Sequence, residues 1–293
     1  MVNGISGCTK ICGVFGCPVG HTLSPIMHNA AFTATGLDYV YVPFEVTPFT
    51  LPAAVEGIRA LGMAGVNLTV PHKEAVLPLL DGISDEAARI GAVNTIINRE
   101  GYLYGENTDG KGYLKALREA GFVPAGRTVL FLGAGGSARA VAVQLALAGA
   151  GKLVFANRTE TRAAQLAQFV TERTGTITDL APWPERPGDQ VLAQVLAEAD
   201  LVVQTTSLGM SPNVYETVPL PFANFRPGQV ASDLVYNPPE TLFLKKARLG
   251  GAVTVSGLGM LLHQGALAFE LWTGVPAPLE AMREALQRKL FNR

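Results

Sequence analysis

The sequence has few charged residues, no long uninterrupted apolar run and no cluster of basic residues. Charged residues make up 16% of the 293 residues and the net charge is −1, so nucleic acid is not expected as a partner. Arg, Gln or Asp interrupts the apolar stretches well before the roughly 18 residues of a membrane-spanning helix, and we predict no membrane segment. The N-terminus lacks a basic start followed by an apolar segment, so we predict no secretion signal.

Cysteine is also scarce. The three cysteines, Cys8, Cys12 and Cys17, all lie near the start of the chain. An odd number argues against a disulfide framework, and their spacing matches no common zinc or iron–sulfur pattern, so no metal is expected. We interpret them as unpaired thiols of a cytoplasmic protein, because the cytoplasm keeps thiols reduced.

Apolar residues, by contrast, make up 48% of the chain, enough for a large core, and the length suits two domains of ordinary size. Strand-like and helix-like segments alternate, which predicts an α/β protein with mostly parallel sheets covered by helices. Ser24 is predicted as a helix N-cap before Pro25, and a Val- and Leu-rich helix is predicted after Pro71. A second α/β unit is predicted from near Gly126, with a surface loop at 182–189.

A glycine-rich turn, Gly133-Ala134-Gly135-Gly136-Ser137, follows the predicted strand 127–132 and precedes an alanine-rich helix. Glycines at such a turn let the backbone approach a pyrophosphate, and the helix N-terminus supplies free N–H groups. A glycine cluster alone is often only a tight turn. Because strand, turn, helix and strand follow in order here, the pattern favours dinucleotide binding.

The end of the next predicted strand indicates which dinucleotide binds. NAD-binding folds place Asp or Glu there, about 20 residues on, to hold the ribose hydroxyls. This chain instead has Asn157, Arg158 and Thr159, with Arg162 one helical turn later. The two arginines are either a solvated pair beside the helix or a clamp for a 2′-phosphate. Given the glycine turn, we predict NADP rather than NAD.

Short polar residues recur at predicted strand ends and helix starts in the first half, and Lys73 stands at the end of one such stretch, 67–73. A partly desolvated lysine can carry a proton, and Asp109 is a candidate partner for it. Each polar residue also has a local explanation: Ser24 and Asp109 as helix caps, Asn94 as a buried amide. Together the set predicts a pocket for a polyhydroxylated small molecule, and it comprises Thr22, Ser24, Thr69, Lys73, Asn94, Thr95, Asn107, Asp109 and Gln264.

Nine motifs, in order along nearly the whole chain, resemble those of the shikimate dehydrogenase family. They are HTLSP (21–25), NLTVPHK (67–73), GAVNT (91–95), GENTD (105–109), GAGGSARA (133–140), NRTETR (157–162), TTSLGM (205–210), DLVYNP (233–238) and GLGMLLHQG (257–265). The resemblance implies an oxidoreductase that reversibly reduces 3-dehydroshikimate to shikimate with NADPH, in aromatic amino-acid biosynthesis. It also implies an N-terminal substrate-binding α/β domain at 1–109, completed by C-terminal helices at 257–293, and a Rossmann-like NADP-binding domain at 110–256.

The resemblance also implies a role for each site residue. Lys73 would be the catalytic acid and base, with Asp109 as its partner. The substrate carboxylate would be held by Thr22, Ser24 and Tyr236, and the ring hydroxyls by Thr69, Asn94, Asp109 and Gln264. The cofactor would contact Asp85, Gly133, Ala134, Gly135, Gly136, Ser137, Asn157, Arg158, Thr159, Arg162, Leu234 and Gly257. Helix capping explains Asp85 equally well, whereas Asn67 and His72 are expected to make structural hydrogen bonds.

Three alternatives remain open. Thr22 replaces the usual serine of the family, and its extra methyl group near C1 of the ring leaves open a quinate/shikimate dehydrogenase of broader specificity. A methylene-tetrahydrofolate dehydrogenase suits Asn94, Asp109 and Gln264 less well than a sugar-like acid does. A non-catalytic NADP-binding regulatory protein would not need Lys73 and Asp109. A homodimer is compatible with the sequence, but no segment can be assigned to its interface.

Overall fold

The computed structural model describes residues 4–186 and 189–291, and the chain forms two compact units. The first unit comprises the residues up to Thr108 and those from Leu262 onward, and the second comprises Asp109–Leu261. The predicted limits would instead assign Asp109 and 257–261 to the first domain. Positions 1–3 and 292–293 of the predicted domains, and 187–188 of the predicted loop, lie outside the described residues.

The first unit is built on a six-stranded sheet with the order β2-β1-β3-β5-β6-β4. Its strands are β1 (Lys10–Gly16), β2 (Tyr39–Glu45), β3 (Gly65–Leu68), β4 (Gly82–Ile83), β5 (Thr95–Arg99) and β6 (Tyr102–Glu106). Its first four helices are α1 (Ser24–Thr35), α2 (Leu51–Ala60), α3 (His72–Ala75) and α4 (Asp85–Ile90). The core lies between the sheet and α2, where Val55, Ile58, Val66 and Ile96 are fully buried.

This first sheet is mostly parallel, as expected: among the described residues β4 also pairs in parallel with β6, and β5 is the one reversed strand. β1 runs parallel to β2 and β3, but β5 is antiparallel to both β3 and β6. The two-residue turn Glu100-Gly101, whose φ angles of 54° and 93° are both positive, joins β5 to β6. Such a turn reverses the chain at once into a hairpin, without a crossover helix.

Two predicted helix starts differ from the structure. α1 begins at Ser24 itself, and Leu23, whose side chain makes no cap hydrogen bond, occupies the N-cap position, so the prediction of Ser24 as N-cap is wrong. The helix after Pro71 is also shorter than predicted. α3 ends at Ala75 and a 3₁₀ turn follows at Leu77–Leu79. Pro78 in that turn has no N–H to donate, so it cannot extend an α-helix.

The second unit contains a six-stranded sheet in which every pairing is parallel. Its strands are β7 (Thr128–Leu132), β8 (Lys152–Ala156), β9 (Ile177–Ala181), β10 (Leu201–Gln204), β11 (Val230–Asp233) and β12 (Val253–Ser256). The helices are α5 (Thr108–Glu119), α6 (Gly136–Leu147), α7 (Glu160–Thr174), α8 (Ala193–Glu198) and α9 (Leu242–Leu249). The order β12-β11-β10-β7-β8-β9 reverses between β7 and β10, as in a Rossmann fold. The predicted two-domain α/β fold is confirmed.

Two elements of the second unit, β9 and α8, were not predicted. β9 lies at the sheet edge, and Ile177 and Leu180 on it are exposed. It carries no continuous apolar run because it buries little of its surface, and among the described strands only β8 pairs with it. An ion pair between Lys152 and Asp179, at 2.9 Å, joins the two strands.

Two further helices complete the described chain, α10 (Gly257–Thr273) and α11 (Leu279–Phe291). In the first unit α10 packs closely on α1. The contact is so close that a Cβ at Gly265 would overlap the Met27 side chain. Among residues 4–186 and 189–291, no helix combines the length and apolar character needed to cross a membrane.

Candidate active site

The glycine turn of the second unit lies between the end of β7 and the start of α6. Gly133 has a φ of +112°, and a Cβ there would stand 2.5 Å from Thr205 Oγ1, so packing requires glycine. A Cβ at Gly135 or Gly136 would meet nothing within 4 Å. Gly135 is the N-cap of α6, and as a glycine it offers no side chain to cap the helix. The turn, with Ala134 and Ser137, therefore leaves the first N–H groups of α6 accessible, which fits a bound pyrophosphate.

The residues predicted to hold the adenosine phosphate lie directly beside this turn. β8 pairs with β7 in parallel register, and the Gly133 N–H donates to the Ala156 carbonyl at 2.8 Å. Asn157, Arg158 and Thr159 follow at once, and the Asn157 amide donates to the Thr159 carbonyl at 2.8 Å.

The side chains of Arg158 and Arg162 are exposed. Within the part of the chain that the structure describes, neither guanidinium is engaged by a carboxylate. No Asp or Glu stands at the end of β8 to hold a ribose hydroxyl. The guanidinium groups of Arg158 and Arg162, which no carboxylate engages, lie beside the glycine turn and could both bind a 2′-phosphate.

The residues predicted to border the nicotinamide, Leu234 and Gly257, lie in contact. Any side chain at position 257 would overlap the Leu234 carbonyl, so only glycine fits there. The Leu234 N–H donates to the Gln204 carbonyl at 3.0 Å, which holds this segment beside the end of β10. Tyr236 follows two residues later, and burial raises the pKa of its phenol.

Asp233 and Gln204, the last residues of β11 and β10, were not predicted to belong to the site. The buried Asp233 carboxylate accepts hydrogen bonds from Gln204 Nε2 (3.2 Å), Val235 N (2.9 Å) and Thr241 Oγ1 (2.6 Å). Burial outweighs these bonds and raises the pKa of Asp233 to about 6. The pair ties together the loops after two neighbouring strands. The signal in the sequence was a polar residue at the end of a mostly apolar strand.

Asp109 lies in the first turn of α5, where only 6% of its surface is exposed. It is the second residue of the helix, so an N-cap role is excluded. A Cβ at Gly110 would stand 2.8 Å from Gln144 Cβ and 2.9 Å from the Ala140 carbonyl. The start of α5 therefore packs tightly on α6, the helix that begins at the glycine turn.

In the first unit, Thr69, Lys73 and Asn94 gather at the ends of β1 and β3. The Thr69 N–H donates to the Phe15 carbonyl at 3.0 Å, and the Leu68 N–H donates to the Asn94 carbonyl at 2.8 Å. The Lys73 carbonyl accepts the N–H of Val93, the neighbour of Asn94, at 2.8 Å. Lys73 itself is the second residue of α3 and is half-buried.

Three further predicted residues, Thr22, Ser24 and Gln264, lie on or beside α1 or on α10. The Ser24 N–H donates to Thr22 Oγ1 at 3.3 Å, so both hydroxyl residues share the start of α1. Gln264 is buried on α10, and its neighbour Gly265 lies against Met27 of α1. Buried hydroxyl and amide groups thus stand close to α1, as a polyhydroxylated ligand would require.

The remaining predicted residues have local roles. Asn67 and His72 make the expected buried hydrogen bonds, Asn67 with Tyr41 Oη (2.7 Å) and His72 with the Val46 carbonyl (2.6 Å). Ser84, rather than Asp85, caps α4 by accepting from Ala87 N at 3.1 Å. Asp85 is the first helical residue, where a negative charge favours the helix dipole. Its contact with a cofactor stays a prediction.

Comparison with known proteins gives a consistent result along the chain. Residues 14–96 match the substrate-binding domain of shikimate dehydrogenase, residues 116–211 match shikimate/quinate 5-dehydrogenase, and residues 257–287 match the C-terminal domain of shikimate 5′-dehydrogenase. These three segments include most of the predicted site.

Similar proteins match over nearly their whole length. A shikimate dehydrogenase (NADP(+)) of Desulforamulus reducens is 50% identical over 98% of this chain and 97% of its own. The enzyme of the same name from Moorella thermoacetica is 53% identical over 98% and 95%. A Thermus thermophilus shikimate 5-dehydrogenase, crystallised with NADP(H) and shikimate, is 40% identical, covers 96% and 99%, and has a TM-score of 0.82. Identity at this level over the full chain shows that this protein belongs to the shikimate dehydrogenase family.

Proposed function

We propose that this protein catalyses the reversible NADP-dependent interconversion of 3-dehydroshikimate and shikimate. The observation that carries the proposal is the pair of uncommitted arginines, Arg158 and Arg162, beside a glycine turn that fits a pyrophosphate. The first unit adds the gathered polar groups of Thr69, Lys73 and Asn94. The names of the relatives, and the shikimate bound to the Thermus enzyme, support the same substrate.

The cofactor, when bound, supplies a hydride for the C3 carbonyl of 3-dehydroshikimate. Lys73 Nζ gives a proton to the alkoxide oxygen that forms, and takes it back in the reverse direction. Such proton transfer and charge stabilisation contribute about 10²–10⁴-fold in rate. Thr22, Ser24 and Tyr236 hold the substrate carboxylate, and Thr69, Asn94, Asp109 and Gln264 orient the ring through its hydroxyl groups.

The decisive experiment is an absorbance assay at 340 nm with purified protein, shikimate and NADP⁺. Formation of NADPH that depends on both compounds is the expected result. A protein that binds NADP⁺ but oxidises no shikimate would point to the non-catalytic alternative. Comparing kcat/KM for shikimate and quinate, each with NADP⁺ and NAD⁺, separates a specific shikimate dehydrogenase from one of broader specificity.

The homodimer, the cytoplasmic location and the absence of nucleic-acid partners stay predictions. Sedimentation at several protein concentrations tests the dimer, since a monomer mass at all of them would exclude it.

A further inference from the structure

A chain of buried hydrogen bonds crosses the first unit and ends on Asn94. Tyr41 Oη donates to Asn67 Oδ1 at 2.7 Å. Asn67 Nδ2 donates to the Asn94 main-chain carbonyl at 3.2 Å and to Thr95 Oγ1 at 3.0 Å. Thr95 Oγ1 in turn donates to Asn94 Oδ1 at 3.0 Å. All four side chains are at most 6% exposed, so these bonds do not compete with water.

Two main-chain groups set the direction of every bond in this chain. The N–H of Thr108 can only donate, and it lies 2.7 Å from Asn94 Oδ1, so the amide atom at that position must be the oxygen. The carbonyl of Asn94 can only accept, so the Asn67 atom that faces it must be the nitrogen. Tyr41 must then donate to the Asn67 oxygen, and Thr95, which accepts from Asn67, has its own hydrogen available for Asn94.

The acceptor capacity of Asn94 Oδ1 is consequently used within the protein. A carbonyl oxygen accepts about two hydrogen bonds. Those from Thr108 N and Thr95 Oγ1 account for both, and the Thr108 hydroxyl lies a further 3.2 Å away. Asn94 Nδ2 meanwhile donates to Thr108 Oγ1 at 2.9 Å. Additional bonds of this side chain must therefore come from its amide hydrogens.

We propose that Asn67 and Thr95 are positioning residues, which lock Asn94 so that it meets the substrate only as a hydrogen-bond donor. The substrate group that binds Asn94 is then an oxygen acting as acceptor, such as a ring hydroxyl oriented by other residues. This inference rests on the proposed function, because shikimate is the ligand to which Asn94 is assigned. Thr95 is the most informative residue to replace, since its hydroxyl donates one of the two hydrogen bonds that saturate Asn94 Oδ1.

The test compares Thr95→Val, which keeps the shape and removes the hydroxyl, with Thr95→Ser, which keeps the hydroxyl. We expect the KM for shikimate to rise about tenfold in Thr95→Val, with kcat and the KM for NADP⁺ within threefold of wild type. Thr95→Ser should stay within threefold throughout. Thr217→Val is the matched control, because the buried Thr217 hydroxyl has no hydrogen-bond partner among the described residues.

Tyr41→Phe provides a second variant at the far end of the chain, should Thr95→Val fail to fold. It should raise the same KM about threefold. The positioning role is overturned if the variants that fold, Thr95→Val or Tyr41→Phe, keep the wild-type KM for shikimate. It is also overturned if Thr95→Ser loses as much as Thr95→Val, or if the KM for NADP⁺ rises in parallel.

The donor role has its own readout in shikimate analogues with one ring hydroxyl replaced by fluorine or by hydrogen. Fluorine can accept a hydrogen bond weakly but cannot donate one. At the ring position bound by Asn94, the fluoro analogue should bind wild-type protein more tightly than the deoxy analogue does. In Thr95→Val the two analogues should bind with equal affinity. Equal losses for both replacements at every position would overturn the donor role. A wild type that neither binds nor oxidises shikimate would overturn the proposed function and this inference together.

Discussion

Lys73 shows how much a single residue depends on its setting. It is the second residue of the short helix α3, and its carbonyl is tied to the N–H of Val93. This tie places the lysine backbone beside Asn94, at the ends of β1 and β3. A half-buried lysine among predicted substrate-binding groups is suited to proton transfer, whereas an exposed lysine on the same helix would not be.

Replacing Lys73 with alanine should lower kcat about 10²–10⁴-fold and change the KM for shikimate much less. The reason is that the proton and the ammonium charge act mainly on the alkoxide that forms during the reaction. Steady-state kinetics of shikimate oxidation measure the effect, with the exposed Lys115→Ala on α5 as a control. A large rise in KM with kcat preserved would mean that Lys73 only binds substrate.

Arg158 and Arg162 are expected to set the choice of cofactor. Replacing both with alanine should raise the KM for NADPH about 10- to 100-fold, because two charge-assisted contacts to the 2′-phosphate disappear. The KM for NADH should change less than threefold. Arg173→Ala, at the other end of α7, serves as the control. Equal losses with both cofactors would exclude a 2′-phosphate clamp.

Thr22 bears on substrate choice under the proposed function. Its Oγ1 accepts the Ser24 N–H, which fixes the direction of its methyl group. Thr22→Ser removes that methyl and creates room near C1 of the ring, where quinate carries its extra hydroxyl. We expect kcat/KM for quinate, relative to shikimate, to rise about 3- to 10-fold. An unchanged ratio would show that Thr22 does not contribute to discrimination.

At the scale of elements, the ends of β10 and β11 are joined by buried polar bonds as well as by the sheet. Gln204 Oε1 accepts from Thr206 Oγ1 at 2.6 Å, while its Nε2 donates to Asp233. The Asp233 carboxylate also accepts from Thr241, which caps α9. One carboxylate thus links two strands, the loop leading to Tyr236 and the start of a helix.

The pKa of Asp233, raised by burial from 3.8 to about 6, makes this link dependent on pH. Because the folded pKa is the higher one, the neutral form stabilises the fold below about pH 4, and this contribution is lost as pH rises through 6. Asp233→Asn cannot ionise. Its free energy of unfolding relative to wild type should increase by about 2 kcal/mol between pH 4.5 and 7.5.

Urea unfolding of wild type and Asp233→Asn at both pH values measures this change. Thr241→Val is a useful comparison, because it removes a hydrogen bond that favours the charged carboxylate. It should destabilise the protein more at pH 7.5 than at pH 4.5. A difference between Asp233→Asn and wild type that is the same at both pH values would contradict the raised pKa.

At the scale of the whole molecule, features that depend on neighbouring residues could be predicted from the sequence. The glycine turn and the arginines that follow β8 are local patterns, and a parallel β-α-β unit necessarily brings them to one sheet edge. The α/β class followed from the alternation of strand-like and helix-like segments, and the two domains followed from the length of the chain. The expected hydrogen bonds of Asn67 and His72 were also found, although their partners were not foreseen.

The sequence by itself therefore determined the fold class, the cofactor turn and the identity of most candidate site residues. Only the tertiary structure decided the antiparallel direction of β5, the edge strand β9, the Gln204–Asp233 link and the orientation of the Asn94 amide. The physical reason is the same for the two polar features. Their partners, such as Asn67 with Thr95 or Gln204 with Asp233, lie 28 and 29 positions apart and meet only across paired strands. No local pattern specifies which atom of a buried amide will donate.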